Sequence, residues 1–187
     1  MKSDLRKKYS ELRKQITNKT FKDTLICSSV INSKLFCDAE EILCYYPIKD
    51  EISTLEIIAS AINSGKRLYL PVCTADKGVM RFYRITSPNE LKTGKFGLTE
   101  PDTEICKEAT EFSNALCIVP AYTYDYQGFR LGYGGGYYDR FLADFGFTKI
   151  GLCYDELISN RLPKDSFDIK VDYIITDKRI IDTSEED

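Results

Sequence analysis

The segment 41–72 constrains the fold more than any other, because it predicts a strand, a helix and a second strand in succession. Residues 41–47 (EILCYYP) form an apolar run ended by proline, which is typical of a strand buried on both faces. A capping box over residues 53–56 starts a helix that Gly65 can end, and residues 67–72 again have a strand pattern. Two strands joined by a helix pair in parallel through a right-handed crossover, so we expect a parallel sheet.

The rest of the chain extends this pattern into a layered domain. Apolar residues repeat at helical spacing from Leu5 to Ile16, after a cap at Ser3, and a weaker helical pattern covers 21–35. The second half predicts strands over 80–86, 115–120, 149–154 and 172–176, and a helix over 136–145 that Gly146 closes. Strands that alternate with helices predict a three-layer α/β fold, with a mainly parallel sheet flanked by helices, Rossmann-like but without the dinucleotide fingerprint. A length of 187 residues suits a single domain over 1–187.

Composition removes several classes of function. The chain has no histidine, which excludes Ser-His-Asp and Cys-His catalysis and most catalytic zinc sites. The formal net charge of -3 gives no general attraction to nucleic acid. Seven cysteines, odd in number and never spaced C-x-x-C, indicate buried free thiols in a reducing compartment. Because we find neither a signal peptide nor a membrane span, we expect a cytoplasmic protein with no membrane partner. We also expect a monomer.

Five of the eleven glycines fall between residues 128 and 136, after a predicted buried strand and before a helix. Backbone amides at such a position can hold a phosphate, and glycine lets the backbone approach a ligand. The segment interleaves glycine with Arg130, tyrosines and Asp139, which favours a ligand-binding loop over a flexible linker. The chain has no G-x-x-x-x-G-K-[ST] motif, and the G-x-G-x-x-G pattern fails because Tyr137 takes its last position. ATP binding would therefore not use a P-loop or a dinucleotide fold.

The run 130–140 (RLGYGGGYYDR) resembles the hallmark of the 5-formyltetrahydrofolate cyclo-ligases, also called methenyltetrahydrofolate synthetases. Weaker likeness covers nearly the whole chain: 50–54, 97–101, 162–176 and an N-terminal pattern of Lys2, Leu5, Arg6 and Arg13. The resemblance implies ATP-dependent conversion of 5-formyltetrahydrofolate to 5,10-methenyltetrahydrofolate, with ADP and phosphate released, Mg²⁺ as cofactor and no nucleic acid as partner. The chain departs from the family pattern at Phe167, where many relatives have histidine, at Tyr124, and at 155–156.

The resemblance also implies a role for particular residues. It implies ATP contacts from Lys2, Arg6, Arg130, Leu131, Gly132, Tyr133, Gly134, Gly135, Gly136, Tyr137 and Tyr138. It implies folate contacts from Tyr46, Glu51, Tyr133, Gly134, Gly135, Gly136 and Tyr137. It implies magnesium near Asp139 and Asp168, and catalytic roles for Arg130, Tyr137 and Asp139.

The residues alone leave simpler alternatives open. Lys2, Arg6, Tyr9 and Arg13 share one helix face, and their spacing alone favours a solvated basic face over a phosphate site. Glu51 suits an exposed loop acid as well as a ligand carboxylate. An α/β enzyme that binds a sugar phosphate or a CoA ester at the glycine-rich loop is the alternative function, whereas an acidic pI near 5.2 argues against RNA.

Overall fold

The computed structural model describes residues 2–74, 76, 78–94 and 97–184. Within these residues lie five α-helices: α1 (Lys2–Gln15), α2 (Lys19–Ile31), α3 (Lys34–Asp38), α4 (Leu55–Asn63) and α5 (Tyr137–Ala143). The first six described strands are β1 (Glu41–Leu43), β2 (Arg67–Cys73), β3 (Met80–Ile85), β4 (Leu91–Thr93), β5 (Thr99–Pro101) and β6 (Glu108–Ala109). The next six are β7 (Ala115–Val119), β8 (Thr123–Tyr124), β9 (Arg130–Leu131), β10 (Thr148–Leu152), β11 (Tyr173–Ile175) and β12 (Ile180–Asp182).

Eight of the described strands form the main sheet, in the order β12-β11-β10-β7-β1-β2-β3-β6. The central strands from β11 to β2 are parallel, and antiparallel strands complete both edges. Glu41 is in register with Arg67 between β1 and β2, which confirms the predicted parallel strand-helix-strand unit. Every residue of β1 and β7 is buried, as expected for strands covered on both faces.

Helices cover both faces of this sheet. The chain steps from β1 to β2 in one direction and from β7 to β10 in the other, so right-handed crossovers place α4 and α5 on opposite faces. On one face, α4 packs against α2 and β2. On the other, the α5 residue Phe141 meets Phe82 of β3, with ring centroids 4.7 Å apart. The predicted α/β architecture is therefore confirmed.

Tertiary contacts override several local signals in the first half of the chain. The predicted capping box over 53–56 is wrong: the N-cap is Thr54, and its Oγ1 makes no cap bond because it donates to the Tyr45 carbonyl oxygen at 2.7 Å. Ser3 lies inside α1 instead of capping it. The predicted helix over 21–35 breaks near Asn32, and Ser33 caps a separate helix, α3. The predicted strand over 41–47 ends at Leu43.

Differences in the second half are concentrated around the glycine-rich segment. This segment does not follow the buried strand β7 directly, because the hairpin of β8 and β9 comes between them. The helix predicted over 136–145 is the shorter α5, and Asp144 caps it instead of Gly146. Residues 86–114, which the sequence did not place, contain a 3₁₀ turn at Pro88–Glu90, the β4–β5 hairpin and the edge strand β6.

Two expectations from composition concern the whole chain. All seven cysteines are free thiols, and five of them are buried, whereas Cys37 is exposed and Cys73 is half-buried. The expectation of buried thiols is therefore wrong for Cys37. Among the described residues, no helix has the length and apolar character that a membrane crossing requires.

Candidate active site

A cavity of about 570 Å³ opens at the carboxyl ends of the parallel strands. Tyr45 and Tyr46 follow β1, Pro120 follows β7, and all three line it. The chain leaves β1 and β7 in opposite directions across the sheet, and such switch points are where open α/β sheets bind ligands. The cavity wall contains every residue to which a ligand was assigned: Lys2, Arg6, Tyr46, Glu51, Arg130, Leu131, Gly132, Tyr133, Gly134, Gly135, Gly136, Tyr137, Tyr138, Asp139 and Asp168.

The basic face of α1 turns inward, toward the glycine-rich segment. Lys2 Nζ lies 2.7 Å from a carboxylate oxygen of both Asp165 and Asp168. Arg6 Nε donates to the Gly132 carbonyl oxygen at 2.8 Å, and Arg13 is only 6% exposed. Burial lowers the pKa of Lys2, but the bonds to the two aspartates outweigh it and raise the pKa overall. The solvated basic face that the spacing alone favoured is therefore wrong.

Gly134 holds the glycine-rich loop close to this helix. Its φ of +98° lies in the left-handed region that glycine adopts without strain. A Cβ at this position would also lie 3.1 Å from Arg6 Cζ. A side chain at residue 134 would therefore crowd the Arg6 guanidinium, which would have to shift by a few tenths of an ångström.

Glu51 is fixed by a tight turn beyond the end of β1. Its backbone N–H donates to the Ile48 carbonyl oxygen, and its Oε2 accepts from the Ile48 backbone N–H, both at 3.0 Å. Its Oε1 accepts a short hydrogen bond from the Tyr133 hydroxyl. Burial raises the pKa of Glu51, although these bonds and nearby Arg13 favour the charged form. A carboxylate held in this way can receive further N–H donors from a ligand in the cavity.

Arg130 and Asp139 form an ion pair at the opposite side of the loop. Arg130 Nη2 lies 2.6 Å from Asp139 Oδ1, and Nη1 donates to the Ile169 carbonyl oxygen at 2.6 Å. The Arg130 side chain is only 5% exposed, so its guanidinium is committed to these partners. Asp139 Oδ1 also accepts from the Ile169 backbone N–H, which links it to the segment that carries Asp168.

The sequence model described as the 5-formyltetrahydrofolate cyclo-ligase family matches residues 1–177. The chain belongs to this family. A 5-formyltetrahydrofolate cyclo-ligase of Haemophilus influenzae is 31% identical over 135 residues, which cover 70% of this chain and 72% of that protein. One of Escherichia coli is 27% identical over 147 residues, covering 76% and 80%. The NMR structure of Aquifex aeolicus 5,10-methenyltetrahydrofolate synthetase matches with a TM-score of 0.85 at 29% identity, covering 100% of this chain and 94% of that chain. The predicted family is therefore confirmed.

The carboxylates of this cyclo-ligase family member fit a magnesium ion carried by a nucleotide. Magnesium takes one or two carboxylates together with phosphate oxygens and water. Asp139 and Asp168 both line the cavity, where Oδ1 of Asp139 pairs with Arg130 and Oδ2 of Asp168 pairs with Lys2. No group of three or more acidic or cysteine side chains suited to a metal occurs among the described residues. The donor set thus suits an ion that brings its own phosphate ligands.

Several residues of the cavity wall had no role in the sequence-based assignment for this cyclo-ligase family member. Asp165 shares Lys2 with Asp168, but an acid in a loop gives no periodic signal. Cys73 and Met80 line the cavity from β2 and β3, and the sequence pattern of these segments predicted strands without a role in a site. The expectation that 97–101 borders the site is confirmed, since Leu98, Thr99 and Glu100 line the cavity.

Proposed function

We propose that the chain catalyses the ATP-dependent cyclisation of 5-formyltetrahydrofolate to 5,10-methenyltetrahydrofolate, with release of ADP and phosphate. One arrangement carries the proposal: two cationic side chains, Lys2 and Arg6, share a cavity with the half-buried carboxylate of Glu51. The loop that matches the family motif forms the wall that connects them. A site of this kind can hold an anionic phosphate and a ring with N–H donors next to each other.

The phosphate groups belong at the α1 side of the cavity in this proposal. Lys2 and Arg6 supply positive charge, and the glycine-rich loop allows close approach of backbone N–H groups. Arg130 acts mainly on Asp139, because its guanidinium is buried and paired. We therefore assign Arg130 and Asp139 as a unit that orders the loop beside the transferring phosphate, and Tyr137 as a wall contact of the reacting groups.

The folate belongs at the Glu51 side. Its pterin ring presents adjacent N–H donors, and a carboxylate can accept two of them side by side. Tyr46, Tyr133 and Tyr137 add aromatic surface to the same wall. Pockets of this type are mainly apolar with a few placed polar groups, which suits a flat ring system.

The reaction in this site needs positioning more than acid-base chemistry. The neutral formamide oxygen attacks the γ-phosphorus of ATP, and ADP leaves. The resulting N5 iminium phosphate is attacked at carbon by N10, which closes the ring as phosphate departs and the N10 proton is released. An amide oxygen carries no proton, so the first step needs no general base, which fits a chain without histidine. The protein contributes alignment and neutralisation of phosphate charge.

Magnesium, when bound with ATP, would be held by Asp139 and Asp168 and would neutralise phosphate charge. We further propose that the enzyme acts as a monomer in the cytoplasm. The free thiols support this location, because disulfides are rare in reducing compartments.

The experiment that tests the activity mixes purified protein with Mg-ATP and 5-formyltetrahydrofolate. Methenyl product is followed by near-ultraviolet absorbance and ADP by a coupled enzyme assay. We expect equal amounts of both, dependent on ATP and abolished by a magnesium chelator. ADP without methenyl product, or neither product from folded protein, would overturn the proposal and favour a sugar phosphate or CoA ester as ligand.

A further inference from the structure

Arg13 is a buried charge outside the glycine-rich motif. Its side chain lies on α1 beneath the loop, and burial of an arginine is costly unless its donors are used. Nη2 makes a short hydrogen bond to the Ala121 carbonyl oxygen, and Nη1 donates to the Tyr133 hydroxyl oxygen at 3.2 Å. The guanidinium also lies over the Tyr122 ring, 4.8 Å from its centroid. Arg13 is therefore fixed on three sides.

The hydrogen-bonding capacity of arginine decides the direction of the bonds that follow. Arginine only donates, so the Tyr133 oxygen must accept from Arg13. The single proton of the Tyr133 hydroxyl is then available for Glu51 Oε1, with which it makes a short bond. Because the Ile48 N–H donates to the other oxygen, both Glu51 oxygens act as acceptors within the protein.

Arg13 does not belong to the wall of the large cavity. It lines a separate small cavity, and Tyr122 and Glu51 line the same cavity. The Tyr122 and Tyr133 rings pack with centroids 4.7 Å apart, so the same guanidinium supports both rings. Arg13 can influence a ligand only through these neighbours.

We propose that Arg13 is a positioning residue for the folate, because it orients the Tyr133 hydroxyl, which in turn holds the Glu51 carboxylate ready to accept N–H donors. The inference rests on the proposed function and adds a residue to it. Tyr133 is thereby assigned two tasks, as aromatic wall and as the link between Arg13 and Glu51. The ATP side of the cavity, with Lys2 and Arg6, lies outside this chain of hydrogen bonds.

Electrostatics around Glu51 support the same role. Burial raises the pKa of Glu51, and the hydrogen bonds from Tyr133 and from the Ile48 N–H, followed by the charge of Arg13, oppose that rise. The other titratable groups that face Glu51 are tyrosines on three elements: Tyr133 on the loop, Tyr45 after β1 and Tyr138 on α5. Arg13 thus opposes the rise in the Glu51 pKa through its own charge and through the Tyr133 hydroxyl that it orients.

A double-mutant cycle tests the inference, with Arg13→Gln, Tyr133→Phe and the combined variant. Each single change should raise the KM for 5-formyltetrahydrofolate about tenfold, as expected for one charge-assisted hydrogen bond, and leave the KM for ATP within about twofold. If Arg13 acts through Tyr133, Arg13→Gln should have no further effect in the Tyr133→Phe background. Arg13→Lys, which keeps a donor, should recover part of the loss.

Three outcomes would overturn the inference. The first is an equal effect of Arg13→Gln in the parent and in the Tyr133→Phe background. The second is a parallel rise in the KM for 5-formyltetrahydrofolate and the KM for ATP, and the third is a fall in kcat alone. If Arg13→Gln does not fold, Arg13→Lys in both backgrounds takes its place in the cycle. Absence of methenyl product from the unmodified protein would instead remove the proposed function, so the two failures are distinguishable.

Discussion

At the scale of one residue, the backbone conformation of Gly134 predicts that even an alanine there lowers stability. In Gly134→Ala, an L-residue at φ +98° is strained by about 1–2 kcal/mol, and its Cβ crowds the Arg6 guanidinium. We expect the melting temperature to fall by about 2–8 °C, since 1 kcal/mol corresponds to about 2–4 °C at this size. The KM for ATP should rise with it.

Gly132→Ala is the matched control for this change. A Cβ at Gly132 meets no protein atom within 4 Å, and this glycine lacks a positive φ. We expect its melting temperature to stay within about 1 °C of the parent. Equal shifts in the two variants would contradict the argument from backbone conformation.

Glu51 links stability to pH. Its pKa is raised in the folded protein, so its contribution to stability is present below its ordinary pKa and is lost as the pH rises through the folded value. Glu51→Gln removes this titration. The melting temperature of the variant minus that of the parent should therefore increase as the pH rises from about 4 to about 7.

The same variant should bind folate more weakly at neutral pH, since the amide offers one acceptor oxygen in place of two. Parallel thermal scans and folate titrations across this pH range check both statements. A difference in melting temperature that stays flat or falls with pH would show that burial does not raise the pKa of Glu51.

Individual site residues were predictable where a motif carried them. The run 130–140 and the acid after β1 led to the cavity, because ligand loops at sheet edges have a compositional signature. Arg13 was assigned no ligand, although it shares a helix face with Lys2 and Arg6, because exposed lysines make the same helix basic on every side. Only the packing of Tyr122 and Tyr133 against it separates it from them.

At the scale of an element, we expect the inner and exposed faces of α1 to differ in their effect on ATP binding. Lys2→Met removes the charge that pairs with Asp165 and Asp168 and, in our proposal, with ATP. We expect the KM for ATP to rise about tenfold or more, with folate binding little changed. Steady-state kinetics with each substrate varied in turn provide the measurement.

Lys7→Met on the exposed face of α1 is the control. Lys7 has ordinary helix propensity and an exposed side chain, so both KM values should stay within about twofold. If the two lysine variants behave alike, then general charge and not the inner face of α1 governs nucleotide binding.

Whole elements were predictable in proportion to their length and periodicity. The β1-α4-β2 unit and the strands β7, β10 and β11 were found because apolar runs bounded by turns have a clear pattern. The two-residue strands β8 and β9 were not, since two residues cannot show a period. The capping box failed because the Thr54 hydroxyl donates to the carbonyl oxygen of Tyr45, a residue outside the helix.

At the scale of the whole molecule, the reactivity of the thiols tests both the fold and the cavity. Burial raises the pKa of Cys117 and Cys153 to about 12, so few thiolates form there. With an aromatic disulfide reagent, we expect Cys37 to react fast, Cys73 slowly, and the five buried thiols only after unfolding.

Cys73 lines the cavity, so Mg-ATP and folate should slow its reaction and leave that of Cys37 unchanged. Absorbance of the released chromophore counts the thiols, and peptide mass spectrometry identifies them. Fast reaction of more than two thiols in the native protein would contradict the buried assignments, and Cys73 that ignores both substrates would argue against their binding in this cavity.

The ion pairs from Lys2 to Asp165 and Asp168 have a consequence for biosynthesis. Asp165 and Asp168 follow Lys2 in the sequence by 163 and 166 residues. A growing polypeptide contains α1 long before it contains the two aspartates that pair with Lys2. The inner face of α1 therefore lacks these partners until residue 168 has been translated, so the site cannot be complete before that point.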